Sequence, residues 1–204
     1  DAHLMINEPV KHVHDYIDAG SDIITVHAEV CDESSFGEIC DMLNSNQVGI
    51  GLAINPDTEL PQWCYKFVEL LDQVIIMSVV PGKSGQKFIE STHEKTRRIA
   101  KDLREHKFEG YIEADGGVNL ENIGACFEDG ARAFVGGSAI IGQNDVRMII
   151  KEFRNQVLES RRRLLIKKAH DLGGTELVNS WIDLHVVGEK KDKLVQIAKE
   201  LGFQ

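Results

Sequence analysis

Each of six short apolar runs in this sequence ends on residues that can do chemistry. The run "HLMI" (3–6) carries His3 and Met5. "IITVHA" (23–28) carries His27 and leads to Glu29, and "GIGLAI" (49–54) leads to Asn55 before Pro56. "VIIMSV" (74–79) carries Met77 and Ser78 and runs on into "PGKSGQ" (81–86). "GYIEA" (110–114) delivers Asp115, followed at once by Gly116 and Gly117. "RAFVGG" (132–137) delivers Gly136, Gly137 and Ser138.

An imidazole and a carboxylate at strand ends, such as His3 and Asp115, can share a divalent metal. The simpler alternative is a hydrogen-bonded histidine and an aspartate that caps a turn. Two glycines in a row cost conformational entropy on folding. Either something approaches the backbone closely after Asp115, or the turn is very tight. Glycine-rich turns at three strand ends ("PGKSGQ", "DGG", "GGSA") expose backbone N–H groups to an anion. The last opens a helix-like segment, which adds the helix dipole. Together they point to phosphate, although a single such turn is ordinary loop chemistry. Met5 and Met77 either fill the core or form a polarisable wall against a planar intermediate.

These residues need a frame. The apolar runs are rich in Val and Ile and nearly continuous, the pattern of parallel strands covered on both faces. Between them lie helical periods: "PVKHVHDYIDAG", "ELPQWCYKFVELLD" and "NLENIGACFEDGA", the last opening on Asn119 as N-cap and closing near Gly130. Alternating strands and helices imply a parallel sheet with helical crossovers. An open doubly wound sheet and a (β/α)8 barrel both fit, and both collect reactive residues at the C-terminal ends of their strands. Six units are too few for a complete barrel unless two more precede Asp1. After Asp145 the character changes to one long helical pattern ending at two glycines, then two further helices parted at Gly188. The expected division is residues 1–145 as a partial barrel and 146–204 as its final helix plus a helical extension.

Composition narrows the function. The net charge of −10 argues against nucleic acid, which needs a basic face. No apolar run is long enough for a membrane helix. Four scattered cysteines (Cys31, Cys40, Cys64 and Cys126) read as reduced thiols, which fits a cytoplasmic protein.

The motifs "DAHLMI", "GLAINPDTEL", "IMSVVPGKSGQKFI", "IEADGGVN" and "VGGSAIIG" resemble, in order and spacing, those of the ribulose-phosphate 3-epimerase family. The resemblance spans residues 1 to about 150 and implies a (β/α)8 TIM-barrel fold. It implies an isomerase of the pentose phosphate pathway, acting on D-ribulose 5-phosphate and D-xylulose 5-phosphate. By the same resemblance His3 and Asp115 would bind a divalent metal (Zn, Fe(II), Mn or Co), and Asp115 would be one of two acid/base catalysts. Met5 and Met77 would wall the intermediate. Gly85, Gly116, Gly117, Gly137 and Ser138 would bind the phosphate. The family's other metal histidine and second aspartate lie in an H-x-D-V-M-D-G type segment, which these residues do not contain. The chain is therefore expected to lack roughly 65 residues, the first two βα units. In the tail, Asp183 and His185 have the reverse order and are not expected to substitute. A related allulose-6-phosphate epimerase, or a non-catalytic phosphate-binding barrel remnant, would share most of these motifs. Open parallel edges invite pairing, so a homo-oligomer stays within expectation.

Overall fold

The structure, a computed structural model, describes residues 1–83 and 85–171. The chain divides into two units, Asp1–Gln156 and Val157–Gln204. The first holds all six expected strands: β1 (Ala2–Leu4), β2 (Ile23–His27), β3 (Gly49–Ile54), β4 (Gln73–Met77), β5 (Tyr111–Asp115) and β6 (Ala133–Val135). Every neighbouring pair is parallel, and the order in the sheet is the order in the sequence. A doubly wound sheet reverses its strand order at a switch point. This one does not, so the sheet is of the barrel type.

Its curl is visible in contacts. In a flat sheet β1 and β5 would stand about 19 Å apart, four spacings of roughly 4.8 Å. Here His3 of β1 and Asp115 of β5 approach to 3.3 Å. Lower down, the Gln73 amide of β4 donates to Asp1 Oδ2 at 2.8 Å and to the Thr25 hydroxyl of β2 at 2.6 Å. Period-2 alternation accounts for the pattern. Thr25, His27, Gln73, Met77, Glu113 and Asp115 form one set. The other set, including Ile24, Val26, Ile50, Leu52, Val74, Ile76 and Ile112, is buried and apolar.

Helices cover that apolar set. In α2 (Glu33–Ser45), Phe36, Ile39, Cys40 and Leu43 are buried at helical spacing. A reciprocal cap starts it: Ser35 N–H donates to Asp32 Oδ1 at 2.8 Å, and Asp32 N–H to Ser35 Oγ at 2.9 Å. In α3 (Ser91–Glu105), Thr96, Ile99, Ala100 and Leu103 are among the buried residues. The first helical period resolves into a 3-10 turn (Pro9–Lys11) and α1 (Val13–Asp18). The helical pattern from residue 146 is α5 (Val146–Asp171). The two helices expected after it, with Asp183 and His185, lie outside the described residues. All four cysteines are free thiols.

Two local expectations are corrected. "ELPQWCYKFVELLD" is two 3-10 turns, Gln62–Lys66 and Val68–Leu70, not one helix. Phe67, at φ −110° and ψ 1°, separates them and turns its ring edge-on to Phe36, 5.3 Å between centroids. The fourth helix, α4 (Ile123–Asp129), begins after Asn122 rather than Asn119. Asn119 instead caps the preceding turn, its Oδ1 accepting from Glu121 N–H at 2.8 Å and Asn122 N–H at 3.2 Å.

Gly51 makes room for the tie between β2 and β4. A Cβ there would lie 2.0 Å from Thr25 Oγ1 and 2.8 Å from Thr25 Cβ. Overpacking of this kind costs about 1–3 kcal/mol. Gly51→Ala is expected to lose that much stability in urea unfolding, because Thr25 must move off Gln73.

Candidate active site

His3, the middle residue of the short strand β1, has two partners. Its Nδ1 lies 3.3 Å from Asp115 Oδ2, with both side chains largely buried. Its Nε2 lies 2.8 Å from Nε2 of His27, at the end of β2. The His27 ring continues the line, its Nδ1 3.2 Å from Glu29 Oε2. Glu29 in turn accepts the Asn55 N–H at 2.7 Å. Burial alone would raise the Glu29 carboxyl, but hydrogen bonds from His27, Thr58 and the Asn55 amide outweigh it and hold it at about 2. Two residues before Asp115, the opposite holds. Burial, with the Asp115 charge added, pushes Glu113 up to about 7.

Asp115 also opens onto a pocket of about 450 Å³. Met5 and Met77 line it, together with Gly85, Gly116, Gly117, Gly137, Ser138 and Lys83. Met77 is buried in an apolar cluster with Ala53, Ile75 and Val79, whereas Met5 is 46% exposed at the rim. The glycines divide into two kinds. Gly116 and Gly117 have φ of +114° and +64°, and Cβ atoms there would meet Val79 Cγ2 at 2.4 Å and the Phe88 backbone nitrogen at 2.5 Å. What comes close to the backbone after Asp115 is therefore the β4–α3 loop. Ser78 fastens the same turn: its amide donates to the Asp115 carbonyl at 2.7 Å and its hydroxyl to the Gly116 carbonyl at 2.6 Å. Gly137 is different. Its φ is not positive, and a Cβ would meet nothing within 4 Å. No packing among the described residues calls for a glycine there, and Gly137 is one of the residues lining the pocket. Gly137 and Ser138 begin a π-helical turn, Gly137–Ile141.

A model of the ribulose-phosphate 3 epimerase family matches residues 1–141. The chain belongs to that family. Ribulose-phosphate 3-epimerase of Escherichia coli (strain K12) is 37% identical over 157 residues, covering 77% of this chain and 68% of the relative. That of Bacillus subtilis (strain 168) is 38% identical over 155 residues, covering 76% and 70%. The chloroplastic ribulose-5-phosphate-3-epimerase of Arabidopsis thaliana is 40% identical over 151 residues, covering 74% and 53%. Among solved structures, 3-keto-L-gulonate-6-phosphate decarboxylase from Vibrio cholerae matches with a TM-score of 0.56 at 15% identity. It covers 77% of this chain and 71% of its own, a likeness of fold alone.

Within this epimerase-family chain, all the site residues expected from sequence gather on the C-terminal side of the strands. Asp115, Met5, Met77, Gly85, Gly116, Gly117, Gly137 and Ser138 line one pocket, and His3 adjoins it through Asp115. Four residues were not assigned in advance. Lys83 is the cation among the lining residues, and it sits in the "PGKSGQ" turn already singled out. Ser78, His27 and Glu29 are legible as strand-end residues, but only distances reveal what they hold. Among the described residues no three His, Cys, Asp or Glu side chains are grouped to hold a metal ion. The pair His3–Asp115 still suits one. Two donors about 2.0–2.1 Å from a tetrahedral ion stand about 3.3 Å apart, the separation found between His3 Nδ1 and Asp115 Oδ2.

The Glu29 network makes acid stability testable. A carboxyl held at about 2, against an ordinary 4.5, stabilises the fold fully above pH 4.5. That contribution is lost as the pH falls through 2. The stability gap between the wild type and Glu29→Gln should be widest near neutrality and shrink across this window. Urea midpoints measured from pH 7 down to pH 2 would check it.

Proposed function

We propose that this protein interconverts D-ribulose 5-phosphate and D-xylulose 5-phosphate by proton transfer at C3 through an enediolate. The observation that carries the reading is the shared pocket. Asp115 stands in it beside Gly85, Gly137, Ser138 and Lys83, groups that would hold a phosphate. A ketose phosphate has its acidic C–H and its phosphate within one short chain, and this pocket has a group for each.

The division of labour follows from residue types. The backbone at Gly85 and Gly137, the Ser138 hydroxyl and the Lys83 ammonium would hold the phosphate, and this remote binding would fix C3 against Asp115. Asp115 would act as general base on one face, taking the C3 proton. Met77, buried beside Asp115 in register with it, and Met5 would form the apolar wall against the planar carbon skeleton and keep water from it. His3 and Asp115 would hold a divalent cation, whose Lewis acidity would stabilise negative charge on the substrate's ketone and hydroxyl oxygens. Inversion also requires a proton donor on the opposite face. Among the described residues lining the pocket, Asp115 is the one carboxylate.

Two variants separate chemistry from folding. Asp115→Asn should lower epimerisation of D-ribulose 5-phosphate, assayed with added Zn, Mn or Fe(II), by about 10²–10⁴-fold. Wild-type turnover in that variant would refute the assignment. Among the described residues Gly137→Ala meets no neighbour within 4 Å, so its melting temperature should match the wild type. Its affinity for the sugar phosphate, measured by calorimetry, should fall on the order of tenfold, about 1.4 kcal/mol. Unchanged affinity would remove Gly137 from the phosphate site.

A further inference from the structure

The two histidines share one proton position, and the direction of sharing decides what His3 can offer. Their Nε2 atoms are 2.8 Å apart, which leaves room for a single hydrogen between them. The ring planes lie within 14° of parallel with centroids 4.9 Å apart. Combined with the short N···N distance, this means the rings meet edge to edge, in line for N–H···N. Beyond His27, its Nδ1 faces Glu29 Oε2 at 3.2 Å. Glu29 already accepts the Asn55 N–H through Oε1, and an ionised carboxylate has only acceptors to give. His27 must therefore donate from Nδ1. In the neutral His27 ring Nε2 is then a lone pair, and the shared hydrogen belongs to His3 Nε2. In the neutral His3 ring one proton is all there is, so Nδ1, 3.3 Å from Asp115 Oδ2, carries a lone pair.

We propose that Glu29 and His27 are positioning residues that set the tautomer of His3, so that its Nδ1 lone pair stands beside the Asp115 carboxylate, ready to ligate a divalent cation. The inference rests on the reading of His3 and Asp115 as cation donors. The low titration range of Glu29 agrees with it, since the acceptor at the head of the chain stays ionised at neutral pH. Outer partners of this kind fix ring orientation and tautomer at metal-ligating histidines. A purely space-filling histidine pair would need no polarity. Here every nitrogen along Glu29–His27–His3 has a defined role, and all of them follow from one carboxylate.

Glu29→Gln tests this because it keeps the shape and reverses the polarity. The Gln Oε1 can still accept the Asn55 N–H, which turns the amide N–H toward His27 Nδ1. His27 then accepts at Nδ1 and donates from Nε2. His3 accepts at Nε2 and carries its proton on Nδ1, against Asp115. Two-bond 1H–15N imidazole spectra of the 204-residue protein read these states directly, and zinc can be titrated into the same samples. In the wild type we expect His27 protonated at Nδ1 alone and His3 at Nε2. Both should reverse in Glu29→Gln, and zinc affinity should fall about 10–100-fold. A wild-type His27 with its proton on Nε2 overturns the proposal, and this holds even where the variant fails to fold. Tautomers unchanged by Glu29→Gln, or reversed tautomers with equal zinc affinity, overturn it as well. Zinc that leaves the His3 signals unmoved in a wild type with the expected tautomers sinks the cation reading and leaves the tautomer relay standing.

Discussion

The site exists because the sheet curls far enough for β1 to reach β5. His3 and Asp115 are 3.3 Å apart although three strands lie between theirs in the hydrogen-bonded order. A parallel sheet twists by itself, but twist alone does not fix how far it closes. Polar ties inside the curve do that here. Gln73 on β4 reaches both Asp1 and Thr25, and Gly51 on the strand between keeps the passage clear. Burying such groups is costly unless they find partners. Each therefore favours the one curvature in which its partner is within reach, and the same curvature brings the strand ends together above.

The turn after Asp115 shows how the frame and the pocket are shared out. Gly116 and Gly117 are glycines because Val79 and the Phe88 backbone press against them. Their service to the fold is to seat the β4–α3 loop, which brings Lys83 and Gly85 to the pocket. Ser78 locks the arrangement from the β4 side. Gly137 has no such neighbour. Identical residue types thus sit under different constraints: Gly116 and Gly117 are hemmed in by the protein's own atoms, and Gly137 is not.

This explains what was legible in the sequence. The central strands, buried on both faces, write themselves as near-continuous apolar runs, and all six strands are present with ends shifted by at most two residues. The reactive candidates were legible because strand ends are where such folds place them. Helical periodicity was less secure. Apolar residues three and four apart in "ELPQWCYKFVELLD" suit 3-10 turns as well as an α-helix, and the packing of Phe67 on Phe36 decided for turns. Asn119 carried a genuine capping signal, but for the turn rather than for α4. His27 and Glu29 stood in plain view at the end of β2. Their role depends on which nitrogen faces which oxygen, and no spacing rule encodes that.

The layering of the strand interiors adds a final step. Thr25 and Gln73 form a polar level with Asp1. Ala53, Ile75, Met77 and Val79 form an apolar cluster. His3 of β1 joins His27 and Asp115, the last residues of β2 and β5. Apolar packing beside a charged group lowers the local dielectric and strengthens each electrostatic contact it does not screen. Glu113 registers the cost of that environment, since burial and the nearby Asp115 charge push its carboxyl up to about 7. Glu29 registers the opposite, since a carboxyl supplied with donors is held at about 2 despite burial. Two acids near these strand ends are thus driven apart, Glu113 upward by burial and the Asp115 charge, Glu29 downward by the donors around it. That contrast is the means by which one fold keeps a fixed negative charge at one end of the histidine chain while Asp115, at the other end, opens onto the pocket.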